Sequence, residues 1–131
     1  MNILITGATG FIGSHLTKEL CKQGYHCRCL VRNIDKAKEI FKDYKNIEFV
    51  IGDITKPETL KNIGNNIDVV FHLAAHGHVA ATSEEAFKKF YKINVKGAEN
   101  LLNECLNKNI SKFFHFSSTA AVGLIPDIVV D

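Results

Sequence analysis

Three glycines at intervals of three, Gly7, Gly10 and Gly13, stand in the stretch "ITGATGFIGSHLTKEL". A short apolar run precedes them and an amphipathic run follows. That placement suits anion chemistry. Gly7 permits a tight turn, Gly10 lets a backbone approach a pyrophosphate, and Gly13 lets a helix pack close to a strand. A helix opening at Phe11, Ile12 and Gly13 presents unpaired backbone N–H groups and about half a positive charge at its N-terminus. A second candidate lies near the other end, in "FHFSSTAAVG", where Ser118 and Thr119 stand just past an apolar run. Hydroxyls there suit hydrogen bonding to a reacting oxygen, or to backbone groups at a strand end.

The elements that must position these residues alternate along the chain. Short β-branched runs occupy 2–6, 26–32, 47–53, 68–75 and 112–118, and helix-like segments occupy 11–23, 34–43, 57–63 and 83–107. Continuous apolar strands alternating with amphipathic helices predict βαβ units and a buried parallel sheet. The expected fold is a Rossmann-type doubly wound α/β sheet of strand order 3-2-1-4-5. In 83–107, Phe87, Phe90, Tyr91, Asn94, Ala98, Leu101, Leu102 and Cys105 recur every three or four residues. They predict one helix with a core-facing stripe, opened by Ser83. A homodimer-forming helix pair is the second use for that stripe.

Ligands in open α/β sheets bind at the strands' carboxyl ends. Asp53 ends the third run and suits an adenine amino group, or capping of the segment after it. Ile54 follows it. Leu73, Ala74 and Ala75 end the fourth run, where small or apolar residues let backbone face a cofactor. At the end of the second run, an acid would bind a ribose 2′-hydroxyl and a base a 2′-phosphate. Arg32 stands there and tilts the expectation to NADP over NAD; an Arg without contact is the alternative. Asp35 comes later, as a cap for the next helix. Asn94 falls mid-helix, where Asn is a poor helix former, which suggests a purpose. His72 lies inside a strand and reads as packing. His76 and His78 follow in a loop without an acidic third ligand, so no metal site is expected. Cys21, Cys27, Cys29 and Cys105 form no CxxC pair and read as buried thiols, with Cys27 and Cys29 on one strand face.

Taken in order, "TGATGFIGSHL" (6–16), "GDIT" (52–55), "VFHLAA" (70–75), "NVKGAENLL" (94–102) and "FHFSSTAAVG" (114–123) resemble the extended short-chain dehydrogenase/reductase family, the NAD-dependent epimerases and dehydratases. The resemblance implies an NAD(P)-binding domain over 1–131 and hydride transfer on a nucleotide sugar or a small carbonyl or alcohol. It implies that Asp53 contacts adenine, that 70–75 runs beside the nicotinamide ribose, and that Asn94 supports the active site. It also implies that Ser118, with Thr119 next to it, bonds the substrate's reacting oxygen. The family's proton-handling Tyr-x-x-x-Lys is absent: Tyr25, Tyr44 and Tyr91 are followed four residues later by Cys29, Glu48 and Val95. The chain therefore reads as the N-terminal part of a longer enzyme, without its substrate-binding part and inactive alone. A non-catalytic NAD(P)-sensing regulator is the alternative. "SSTAAVGL" also departs from the "VYG" of the sugar epimerases, which leaves small ketone or aldehyde substrates open.

Composition narrows the classes further. At 131 residues, with 46% hydrophobic and 23% charged residues and a net charge of +2, one soluble domain is expected. Nothing points to nucleic acid, since the lysines are interspersed with acids. No apolar run reaches the roughly 20 residues of a membrane span, and the N-terminus lacks a basic signal-peptide region, so a cytoplasmic protein is expected. The expected partners are a dinucleotide and a small-molecule substrate.

Overall fold

The computed structural model describes residues 1–77 and 83–118. Its elements are β1 (Asn2–Thr6), α1 (Phe11–Lys22), β2 (His26–Val31), α2 (Ile34–Ile40), β3 (Ile47–Ile51), β4 (Val69–His72), α3 (Glu84–Phe90), a π-helical segment (Tyr91–Lys96), α4 (Gly97–Cys105) and β5 (Lys112–His115). The sheet is parallel throughout, in the expected order β3-β2-β1-β4-β5.

Strand periodicity sorts the core onto two faces. Ile3, Ile5, Cys27, Cys29, Val31 and Val69 join Cys21 of α1 and Ala37 of α2 in one cluster. Leu4, Leu30 and Val70 join Leu101 and Cys105 of α4 in the other. Helices therefore cover both faces, as a sheet apolar on both sides demands. Among the described residues, no helix is long and apolar enough to cross a membrane.

Several elements are shorter than their sequence patterns. β3 stops at Ile51: the Gly52 amide still donates to the Val31 carbonyl at 3.0 Å, and the chain then turns away as the Asp53 amide donates to Thr59 Oγ1 (3.0 Å). The segment 57–63 forms only a 3-10 turn, Pro57–Thr59. Thr59 Oγ1 donates back to the carbonyls of Lys56 and Asp53, and Asn62 turns left-handed at φ 64°. At α2 the cap is Asn33, whose side chain accepts from the Lys36 amide at 2.9 Å; Asp35 lies in the first turn instead.

The long helix departs most from expectation. Ser83 caps it, accepting from the Ala86 amide at 3.2 Å. Its middle turn is π-helical, however, and this breaks the 3.6-residue period that a single stripe requires. Leu101 and Cys105 are buried, but Phe87, Phe90 and Tyr91 are 59%, 40% and 43% exposed. Of the stripe, only Leu101 and Cys105 are core, and Leu102 beside them is exposed.

Two consequences are measurable by urea unfolding. Leu101→Ala should cost about 2–5 kcal/mol, whereas Leu102→Ala, on the exposed side of the same turn, should stay within about 0.5 kcal/mol. Equal costs would contradict the helix face. The second concerns pH. Burial first, and His115 on the adjacent strand second, push the His72 pKa from 6.5 down to about 4. The unfolded chain thus binds a proton between those values that the folded chain does not, and stability falls as pH drops through that window. The expected loss between pH 7 and pH 4 is roughly 2–3 kcal/mol more for the wild type than for His72→Asn. Parallel pH profiles would remove His72 as the cause.

Candidate functional site

The loop after β1 is built on backbone closeness. Gly7 has φ 75°, and a Cβ there would stand 2.7 Å from both the Ala74 nitrogen and the Leu73 carbonyl carbon. The Gly10 amide donates to the Gly7 carbonyl at 2.9 Å and Gly10 caps α1, with no side chain on the cap and no acid in the first turn. The amides of Phe11, Ile12 and Gly13 open the helix with no backbone acceptor one turn behind them. A Cβ on Gly13 would collide with the Gly7 carbonyl. The Phe11 and Ile12 side chains are exposed, so what these residues offer the loop is their backbone.

A cleft of about 520 Å³ opens at the carboxyl ends of the strands. Of the residues singled out in the sequence, Gly7, Gly10, Arg32, Asp53, Ile54, Leu73, Ala74 and Ala75 line it together. Asp53 Oδ1 accepts from the Thr55 amide (2.8 Å) and the Thr55 hydroxyl (2.9 Å). Burial works against the Asp53 charge, but these two bonds, with Arg32 and Lys56 nearby, outweigh it and hold the carboxyl below its ordinary range. Asp53 is therefore an anion that shapes its own turn while facing the cleft.

The cleft also takes His76, weighed in the sequence only as a metal ligand, and residues that the sequence did not single out: Thr6, Thr9, Lys36, Lys89 and Lys92. Thr6 is the last residue before the glycine loop, a position that could have marked it. Nothing in the sequence shows that Lys89, in α3, and Lys92, in the π-helical turn, line the cleft.

Asn94 stands behind the cleft wall. Its Oδ1 accepts from the His76 amide at 2.7 Å and its Nδ2 donates to the His76 carbonyl at 2.9 Å. Three residues on, a Cβ at Gly97 would stand 2.6 Å from Ile54 Cδ1, and Asn100 Nδ2 donates to the Ile54 carbonyl at 2.9 Å. One helix face thus braces the chain leaving both β3 and β4. Gly97 and Asn100 lie in the quoted "NVKGAENLL", but their role needed the tertiary contact.

Ser118 is exposed, three residues past the end of β5, and is not among the residues lining the cleft. Thr119 and His78 lie outside the described residues. Among the described residues, no group of three His, Cys, Asp or Glu could hold a metal ion. The four thiols are free and buried. Burial pushes Cys29 up to about 12 and Cys105 to about 11, and Cys27 higher still, so none is a thiolate nucleophile.

Residues 3–129 match the family model of the NAD dependent epimerase/dehydratase family. The chain is 36% identical over 130 residues to a dTDP-D-glucose 4,6-dehydratase of Dictyostelium discoideum, covering 92% of this chain and 30% of that protein. It is 30% identical over 123 residues to a 3 beta-hydroxysteroid dehydrogenase/Delta 5→4-isomerase of Mycobacterium tuberculosis, covering 92% of this chain and 32% of that protein. The chain thus spans about a third of the length of these curated relatives. Among solved structures it resembles the UDP-glucuronic acid 4-epimerase of Bacillus cereus in complex with UDP-glucuronic acid and NAD. The TM-score is 0.80 at 29% identity, over 100% of this chain and 44% of that one. With the family model matched over nearly the whole chain, and with the parallel sheet and glycine loop in place, this protein belongs to the NAD dependent epimerase/dehydratase family.

Proposed function

We propose that this chain is the dinucleotide-binding part of an NAD(P)-dependent epimerase, dehydratase or reductase acting on a nucleotide sugar or a small carbonyl or alcohol. The observation that carries this reading is the backbone cradle at Gly7, Gly10 and Gly13, in which added side chains at Gly7 and Gly13 would collide. The residues fit the group. The amides opening α1 would hold the pyrophosphate, Asp53 the adenine, and Leu73–Ala75 the nicotinamide ribose. Bound there, the nicotinamide supplies hydride transfer to or from a carbinol or ketone carbon.

Charge supports a phosphorylated dinucleotide. Arg32, Lys36, Lys89 and Lys92 stand around the cleft against the single carboxylate of Asp53, among the lining residues described. Arg32, at the end of β2, is the residue we assign to a 2′-phosphate. Ser118 is the hydroxyl we assign to orienting the substrate oxygen. It does not supply the proton, and no Tyr in the chain has a Lys four residues on.

Calorimetric titration with NADP and NAD tests the cofactor assignment. Arg32→Ala should weaken NADP by about 1–3 kcal/mol and leave NAD nearly unchanged. Equal losses for both refute the 2′-phosphate contact. Gly10→Val should abolish both by filling the pyrophosphate path. General acid–base help is worth roughly 10²–10⁴-fold, so without it the 131-residue chain should show no turnover on ketones, alcohols or nucleotide sugars. A longer chain carrying a Tyr-x-x-x-Lys should turn over, and Ser118→Ala within it should reduce the rate sharply. Carbonyl reduction by the 131-residue chain at an ordinary enzymatic rate would overturn this assignment.

A further inference from the structure

Among the described residues, one buried side-chain nitrogen or oxygen has no hydrogen-bond partner: Nε2 of His72. His72 is 1% exposed and ends β4 directly opposite Thr6, which ends β1. Its other ring nitrogen, Nδ1, lies 2.6 Å from Thr6 Oγ1. The same hydroxyl accepts from the Ala74 amide at 3.3 Å. A hydroxyl that accepts still has one proton to give, and Nδ1 is the acceptor within reach. Neutral His72 then carries its own proton on Nε2. The other tautomer is worse, because it leaves both the Thr6 proton and the Nε2 lone pair buried without partners. An unpaired buried N–H is unfavourable, and an apolar residue at position 72 would avoid it.

Strand pairing does not explain the arrangement. The β1–β4 ladder is already carried past its end by the Leu73 amide, which donates to the Thr6 carbonyl at 3.1 Å. The side-chain relay acts one residue further on, at Ala74. There the backbone of the β4 exit meets Gly7, within the distance that forbids a Cβ. Thr6, Gly7 and Ala74 all line the cleft.

We infer that His72 is a positioning residue for the cleft: through the Thr6 hydroxyl it fixes the glycine loop against the chain leaving β4, so both walls are set before a dinucleotide enters. The inference rests on the cofactor reading above. His72 touches no ligand in this scheme; it acts through Thr6 and Ala74.

The test is calorimetric titration of NADH and NADPH into the wild-type chain, Thr6→Val, His72→Leu, the double variant and His72→Asn, with thermal melting of each. Thr6→Val and His72→Leu should each weaken both dinucleotides by roughly tenfold. The double variant should be no weaker than either single one, because one relay is lost in all three. His72→Asn, whose Oδ1 can accept from Thr6 in place of Nδ1, should bind within about threefold of wild type. Variants that melt lower but bind as wild type, or losses that multiply in the double variant, would overturn the inference. If His72→Leu does not fold, Thr6→Ser against Thr6→Val decides: recovery of affinity by Ser supports the relay, and equal affinities overturn it. A wild-type chain that binds neither dinucleotide overturns the cofactor reading and this inference with it. That result is distinct from a binding wild type with indifferent variants.

Discussion

The close passage of two backbones at Gly7 constrains the rest of the site. The loop leaving β1 and the chain leaving β4 run past each other where a Cβ would stand 2.7 Å from main-chain atoms. The φ of 75° adds a second restriction, since side-chain-bearing residues rarely adopt it. Once that passage is set, α1 has one way to start. Gly10 turns its amide to the Gly7 carbonyl, and Gly13 lets the first helical turn rest on the same carbonyl. Thr17 Oγ1, buried, donates to the Gly13 carbonyl at 2.7 Å and holds that turn from behind. The opening amides of α1 are thereby aimed across the sheet edge with no acceptor of their own, the arrangement that favours an anion.

The opposite wall is held mainly by side-chain hydrogen bonds. Beyond β4 the chain has left the sheet, and its backbone groups need partners elsewhere. Asn94 supplies both, a donor and an acceptor to the two polar atoms of His76, in the manner of a strand neighbour. Asn100 does the same kind of work for the exit of β3, donating to the Ile54 carbonyl, while Gly97 lets the helix come close to the Ile54 side chain. Asn94 lies within the π-helical turn and Gly97 begins the α-helix after it. π-helical turns concentrate at functional sites, because an inserted residue redirects side chains that a regular helix would send elsewhere. Both Asn94, bonded to the β4 exit, and Lys92, at the cleft, lie in this turn.

Much of this was legible in the sequence, for a definite reason. A parallel sheet buried on both faces leaves continuous apolar runs, and the glycine spacing follows from contacts within one loop and one helix. Strand order, the glycine loop and the grouping of Arg32, Asp53 and Leu73–Ala75 at one edge could therefore be read off. What could not be read were contacts between elements distant in sequence. The stripe through Phe87, Phe90 and Tyr91 assumed an uninterrupted 3.6-residue period, and the π-helical turn removed it. The end of β3 was overrun because the turn after it is set by side chains, with the Asp53 amide donating to Thr59 six residues on. His72 was read as packing. Its burial agrees, but its bond to Thr6, 66 residues away, had no local sign.

Asp53 shows how two readings of one residue need not compete. A carboxylate has two oxygens and accepts about four hydrogen bonds. Oδ1 receives both bonds from Thr55 and fixes the turn after β3. No described residue donates to Oδ2, and Asp53 lines the cleft. The Thr55 bonds limit the rotation of the carboxylate, so the contacts that fix the turn also fix the direction of Oδ2. The same division runs around the cleft. Its floor is backbone from Gly7 and Ala74, fixed to within the width of a methyl group, and this sets shape. Its rim is Arg32, Lys36, Lys89 and Lys92, long cations in which no ion pair with a carboxylate within 4.0 Å occurs among the described residues. Flexible charges of that kind draw an anion in over several ångströms and weaken with salt. Under the cofactor reading proposed above, directional recognition would fall to the backbone floor and long-range attraction to the cationic rim.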